Sequence, residues 1–139
     1  MILKALITDN ADPVLAESLE QAGIACAIRT NLDYNSLLAY ANGYDALVVR
    51  SKIIIDRNFI DHCPRLRCIG RVGAGMETID VEYARSKGIA CLNSPEGNRD
   101  AVGEHALGLL LALMNKIAFS DQEVRQGLWR REANRGWEI

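Results

Sequence analysis

The run Leu66-Arg67-Cys68-Ile69-Gly70 breaks into Arg71-Val72-Gly73-Ala74-Gly75, and the amphipathic segment Val81 to Lys87 follows. A short apolar stretch, a glycine turn and a helical period make one strand, turn and helix unit. The same unit repeats outward in both directions. Ile2 to Ile7, Ile24 to Ile28 and Ala46 to Val49 precede it as strands, and Ile89 to Leu92 follows as a fifth. Asp12 to Ala22, Tyr34 to Tyr40 and Asp56 to His62 read as the helices between them. Strands alternating with helices at this spacing predict an α/β fold, a five-stranded parallel sheet flanked by helices on both faces. Gly23 and Gly88 stand where a helix ends and the next strand begins, a position that favours positive φ.

After Pro95 the texture changes. Asn98 to Lys116 is one long helical pattern, with Val102, Ala106, Leu109, Leu110 and Leu113 on an apolar stripe. Such a helix needs covering on most of its faces, by another domain or another chain, or else as a core helix of the same domain. Beyond Ala118 the chain turns polar and basic, with Arg125, Arg130, Arg131 and Arg135 around Trp129 and Trp137.

The 139 residues suit one compact domain, and 49% hydrophobic with 24% charged is ordinary globular composition. The net charge of -2 collects into no block, which argues against nucleic acid or an anionic membrane as partner and leaves small polar or anionic ligands open. Cys26, Cys63, Cys68 and Cys91 follow no CxxC spacing and sit in or beside apolar runs, so they read as reduced core thiols. No export signal opens the sequence, and the apolar stretch Ala106 to Met114 is too short for a membrane span. A soluble, cytoplasmic protein is the expectation.

In an open parallel sheet, ligands bind outside the carboxyl ends of the strands. Those ends carry Arg50-Ser51, then Arg71-Val72-Gly73-Ala74-Gly75, then Asn93-Ser94-Pro95-Glu96-Gly97-Asn98. A guanidinium, a hydroxyl, glycine-loop N–H groups and an amide on one rim make an anion site. Gly73-Ala74-Gly75 either forms a nest of N–H groups for a carboxylate or phosphate, with Arg71 beside it, or simply makes a tight turn. Arg50 suits bidentate anion recognition or is a solvated strand end. Asn98 caps the long helix, contacts substrate, or does both, while Asp100 and Glu104 complement the helix dipole. His62 reads as a dipole partner at a helix end and His105 as a packed or interface residue. No metal-ligand spacing is present. The order of Gly70, Gly73 and Gly75 is G-x-x-G-x-G, the reverse of the dinucleotide fingerprint, and no forward G-x-G-x-x-G occurs in the sequence.

Taken together, Leu47 to Ser51, Leu66 to Asp80, Lys87-Gly88-Ile89, Asn93-Ser94-Pro95, Gly97-Asn98, Glu104-His105 and Gly127-Leu128-Trp129-Arg130-Arg131 resemble the D-isomer-specific 2-hydroxyacid dehydrogenases. The resemblance implies that residues 1–97 are a flavodoxin-like substrate domain. Residues 98–139 would be a crossover helix, packed at a homodimer interface, and an arm from Ser120 that leads into an NAD-binding Rossmann domain absent from this sequence. It implies substrate contacts from Arg50, Ser51 and Arg71, from the backbone of Val72, Gly73, Ala74 and Gly75, from Asn98, and from Arg131 across the dimer. Ala74 and Val102 would border the nicotinamide of NAD. The family's activity is hydride transfer between NAD and a small 2-hydroxy or 2-oxo acid. Its catalytic arginine, glutamate and histidine have no counterpart in this sequence, so the chain alone is expected to be inactive. The family's returning C-terminal helix also has no counterpart, which should leave a patch of sheet uncovered. The alternative is a stand-alone binding or dimerisation module.

Overall fold

A computed structural model describes residues 2–138. Two compact units divide the chain, residues 1–97 and residues 98–139. In the first, β1 (Lys4–Ile7), β2 (Ala25–Ile28), β3 (Ala46–Val49), β4 (Cys68–Arg71) and β5 (Ala90–Asn93) form one parallel sheet in the order β2-β1-β3-β4-β5. This is the flavodoxin-like order, with its switch between β1 and β3. The connecting helices are α1 (Pro13–Gln21), α2 (Tyr34–Ala41), α3 (Arg57–His62) and α4 (Val81–Ser86).

Each of these helices begins on an aspartate. The carboxylates of Asp33, Asp56 and Asp80 accept the N–H groups of Ser36, Phe59 and Tyr83, and Asp12 accepts that of Val14 with Pro13 in the first turn. These bonds satisfy donors that a helix start leaves free. They also hold the carboxyl groups of Asp33, Asp56 and Asp80 below the ordinary aspartate range. Asp12 and Asp56, read from sequence as helical, are therefore caps. Gly23 and Gly88 have φ of 80° and 78°, as expected for αL caps. The N–H of the next residue, Ile24 or Ile89, reaches back to Leu19 or Ala84 and closes the helix end.

Strand alternation sorts the side chains. Leu6, Leu47, Val49 and Ile69 lie on one face, buried with Leu37 and Ala41 of α2, Phe59 and Ile60 of α3, and Ala84 of α4. The opposite face has one row of small residues and one of mostly branched ones. Ala5, Ala46, Cys68 and Ala90 form one row across the sheet, and Ile7, Val48, Gly70 and Leu92 another. Leu15 and Leu19 of α1 border this face beside an open groove of about 380 Å³. Helices thus do not cover both faces equally.

The second unit holds α5 (Arg99–Met114) and α6 (Ile117–Arg125). The helix expected over residues 98–116 ends at Met114, two residues short, and after Lys116, which adopts φ 51°, a second helix follows at a bend of 57°. The arm expected from Ser120 onward is helical as far as Arg125. The rest of the arm folds back on the break, where the Trp137 N–H donates to the Met114 carbonyl at 3.1 Å and Lys116 Nζ to the Ala133 carbonyl at 2.8 Å. Gly136 permits this approach, because a Cβ there would lie 2.7 Å from the Asn115 Cα. No residue of α5 is buried. Its apolar residues also wrap further than one stripe, since Leu107 and Leu111 are exposed on the side away from Leu109 and Leu113. Among the described residues, no single helix is long and apolar enough to cross a membrane.

Candidate functional site

The loops after β3, β4 and β5 are neighbours because their strands are. Val49 pairs with Arg71, and Arg71 with Asn93. The β5 loop then ties down the glycine loop. Asn93 Nδ2 donates to the Ala74 carbonyl at 2.6 Å, and the Ser94 N–H donates to the Gly73 carbonyl at 3.0 Å. Both bonds consume carbonyls of that loop rather than its amides.

The nest is shorter than the sequence reading proposed. The Val72 N–H continues the ladder to the Val49 carbonyl at 2.9 Å, and the Gly73 N–H closes a tight turn on the Arg71 carbonyl at 3.0 Å. Neither is free to hold a ligand. The N–H groups of Ala74 and Gly75 have no partner among the described residues. The loop is therefore both a tight turn and a pair of free donors.

Gly73 has φ 142°, a conformation that L side chains rarely adopt. Its missing side chain leaves room for the Arg71 guanidinium, which lies where a Cβ would project, and the Glu77 carboxylate occupies the same place beside Gly75. The glycines make space for the chain's own charged groups. Arg71 Nε is buried with no hydrogen-bond partner, and such a group calls for an explanation. Glu77 was not singled out from sequence, because nothing in its spacing marks it.

A second missed pair lies at the switch between β1 and β3. Asp9, only 8% exposed, takes an ion pair from Lys52 Nζ at 3.1 Å. Only the strand order places these residues together, so no sequence signal reveals them. Arg50 and Ser51, beside Lys52, are exposed.

Asn98, Val102 and Arg131 belong to the other unit. Asn98 occupies the cap position of α5 with φ -131°, yet its side chain makes no capping bond, and its carbonyl alone accepts the Val102 N–H. The expected side-chain cap is thus corrected, because this backbone does not aim the amide at the first-turn donors. Val102 and His105 are exposed on α5. Arg131 is exposed in the arm. His62 Nδ1 sits 2.7 Å from the Asn58 carbonyl in the last turn of α3, in keeping with its helix-end reading.

The four cysteines are free, and burial raises the thiol of each, that of Cys63 to about 11. They are packing residues rather than nucleophiles. No group of three or more His, Cys, Asp or Glu suited to a metal occurs among the described residues.

Comparison with known proteins agrees with the loop order. The family model "D-isomer specific 2-hydroxyacid dehydrogenase, catalytic domain" matches residues 5–134. D-3-phosphoglycerate dehydrogenase of Archaeoglobus fulgidus is 31% identical over 137 residues, 99% of this chain and 26% of its own length. The chain thus spans about a quarter of the length of that curated relative. A Pyrococcus horikoshii protein superposes with a TM-score of 0.85 at 26% identity, over 96% of this chain and 40% of its own. NAD+-bound 3-phosphoglycerate dehydrogenase of Entamoeba histolytica gives 0.70 at 25% identity, over 84% and 40%. A flavodoxin-like sheet, a rim of this composition and a match along most of the sequence lead to one conclusion: this chain belongs to the D-isomer specific 2-hydroxyacid dehydrogenase family.

Proposed function

We propose that the chain is the substrate-side portion of an NAD-dependent D-2-hydroxyacid dehydrogenase, acting on D-3-phosphoglycerate or a similar small 2-hydroxy acid. The observation that carries this reading is the buried, unpartnered Arg71 Nε beside the free N–H groups of Ala74 and Gly75. A carboxylate at that loop would take the two N–H donors and the charge of the Arg71 guanidinium, with the Glu77 side chain turning away from Gly75 to admit it. Arg50 and Ser51 serve a second anionic or hydroxyl group of the substrate, Asn98 contributes an amide, and Arg131 reaches the substrate from a partner copy. Residues 1–97 act as the substrate domain, and residues 98–139 as the crossover helix and arm. The family resemblance also supports a cytoplasmic setting.

NAD does not fit this chain by itself. Ala74 and Val102 offer apolar surface to a nicotinamide ring, but no G-x-G-x-x-G is present to hold a pyrophosphate. The dinucleotide supplies the hydride chemistry in such enzymes, and the residues present here bind and orient the acid. The chain alone therefore has no dehydrogenase activity. Titration with D-3-phosphoglycerate followed by NMR tests the binding role: shifts at Ala74, Gly75 and the Arg71 side chain are expected, and no shift at millimolar ligand refutes it. Turnover with NAD by purified chain refutes the inactivity.

A stand-alone dimerisation module is the second reading, favoured by the exposure of Leu109 and Leu113 on α5, at 60% and 74%. Both readings expect a homodimer through α5. Sedimentation tests this, and a monomer at high concentration argues against it. Binding of the acid separates the two.

A further inference from the structure

The arm contains one buried charge that the proposed function does not use. Glu123, on the inner side of α6, is only 7% exposed in a helix whose other residues are half-buried or exposed. One carboxylate oxygen pairs with Arg130 at 3.3 Å, and the other accepts a bond from Asn134 Nδ2 at 2.8 Å. The Glu123 carbonyl accepts the N–H of Leu128 at 2.9 Å, at the turn where Gly127 adopts φ 75°. One residue thus holds the arm at Leu128, Arg130 and Asn134. Removing a carboxylate from water is costly unless it is paired and hydrogen-bonded, and both oxygens of Glu123 are engaged.

The neighbouring arginines are treated differently. Arg130 is neutralised by Glu123 and Arg135 pairs with Glu132 at 3.0 Å, whereas Arg131 makes no ion pair or side-chain hydrogen bond among the described residues. The arm carries four guanidinium groups, and with Arg125 paired to Asp121 at 2.8 Å it presents only that of Arg131 without a counter-charge among the described residues.

We infer that Glu123 is the positioning residue of the arm: it immobilises Arg130 and leaves Arg131 as the single cation the arm offers to an anionic ligand. This deepens the reading of Arg131 as a substrate contact and rests on it. Without Glu123, Arg130 and Arg131 would compete for the same anion, and the loop that orients them would lose its anchor.

Limited trypsin digestion of the chain, read by mass spectrometry, tests the assignment. An arginine whose guanidinium is bound cannot enter the protease pocket. In the wild-type chain, cleavage after Arg130 is therefore expected to be suppressed relative to cleavage after Arg131. Glu123→Gln should shift that ratio toward Arg130 by about two- to fivefold, the scale of a lost ion pair whose arginine is largely solvated. Asn134→Ala, which loosens the loop but leaves the charge pair, should accelerate both cleavages without shifting the ratio. A ratio unchanged in Glu123→Gln, or shifted as much by Asn134→Ala, overturns the assignment. A synthetic peptide of residues 124–138, which lacks Glu123, gives the unrestrained ratio without requiring any variant to fold, and a native ratio equal to the peptide's also overturns it. Loss of the underlying reading looks different: Arg131→Gln would bind D-3-phosphoglycerate as the wild type does, while the digestion ratio still responded to Glu123.

Discussion

Replacing Gly73 by alanine should damage the protein in two ways that can be measured separately. The backbone at φ 142° is nearly closed to L residues, and holding one there costs on the order of 1–3 kcal/mol. With a urea dependence of about 1–3 kcal/mol per molar, a loss of about 2 kcal/mol lowers the unfolding midpoint by roughly 1 M. The new Cβ would also occupy the place of the Arg71 guanidinium. Displacing that group removes a charge-assisted contact worth about 1.5–3 kcal/mol, and anion binding should weaken by roughly ten- to a hundredfold. Arg71→Ala should lose the binding while keeping the stability. The double variant separates the terms, because with no guanidinium to displace, the cost of Gly73→Ala reduces to backbone strain. A double variant that unfolds at the midpoint of Arg71→Ala alone would refute the strain argument, and Gly73→Ala with wild-type anion affinity would refute the placement of Arg71.

Other outcomes follow from the packing and the charges. Phe59 is fully buried in α3, edge-on to Tyr34 with ring centroids 6.0 Å apart, so Phe59→Ala should cost about 3–5 kcal/mol in urea unfolding, and a cost below 1 kcal/mol would show the site relaxes freely. Asp45 receives the Lys4 N–H at 2.9 Å and Arg65 at 3.2 Å, and like those of Asp33, Asp56 and Asp80 its carboxyl is held below the usual range, first by the backbone hydrogen bond. A carboxyl lowered on folding stabilises fully above its unfolded value, near 4, and loses that contribution as pH falls through the folded value. Urea midpoints should therefore be level from pH 7 to about 5 and fall below about 4, with a shallower fall in Asp45→Asn; an identical acid profile in the variant counts against the role of Asp45. Cys63, raised to about 11 by burial alone, should resist alkylation at pH 8 in the native chain and react in urea, and rapid native labelling would contradict its burial.

Much of the fold is legible in the residues because strand and helix periods are local. Five apolar runs, four intervening helices and two cap glycines follow from spacing and steric preference, and β3 at Ala46–Val49 coincides with its sequence-read bounds. The end of the long helix near Lys116 was legible, but the second helix that begins at Ile117 was not. Lys116 adopts φ 51° there, and the arm returns from as far as Trp137, twenty-three residues on from Met114, to meet Met114 and Lys116. Asn98 shows the opposite failure, in which a residue with the right chemistry at the right place makes no capping bond because the backbone angle is wrong.

The candidate site divides along the same line. Arg71 and the glycine loop announce themselves by residue type, since few other patterns put a guanidinium beside so many free amides. Which amides are free was settled only by tertiary pairing, when β3 took the N–H of Val72 and the turn took that of Gly73. The Lys52–Asp9 pair and the Glu123 clasp likewise join residues that have no relation until the chain folds. By itself the sequence determined the kind of sheet, the rim chemistry and the family motifs, because propensity and side-chain chemistry travel with each residue. The tertiary structure decided which donors remain unpaired, which face of the sheet stays open and which arginine is left without a counter-charge, because hydrogen-bond satisfaction and charge pairing depend on neighbours that only folding supplies.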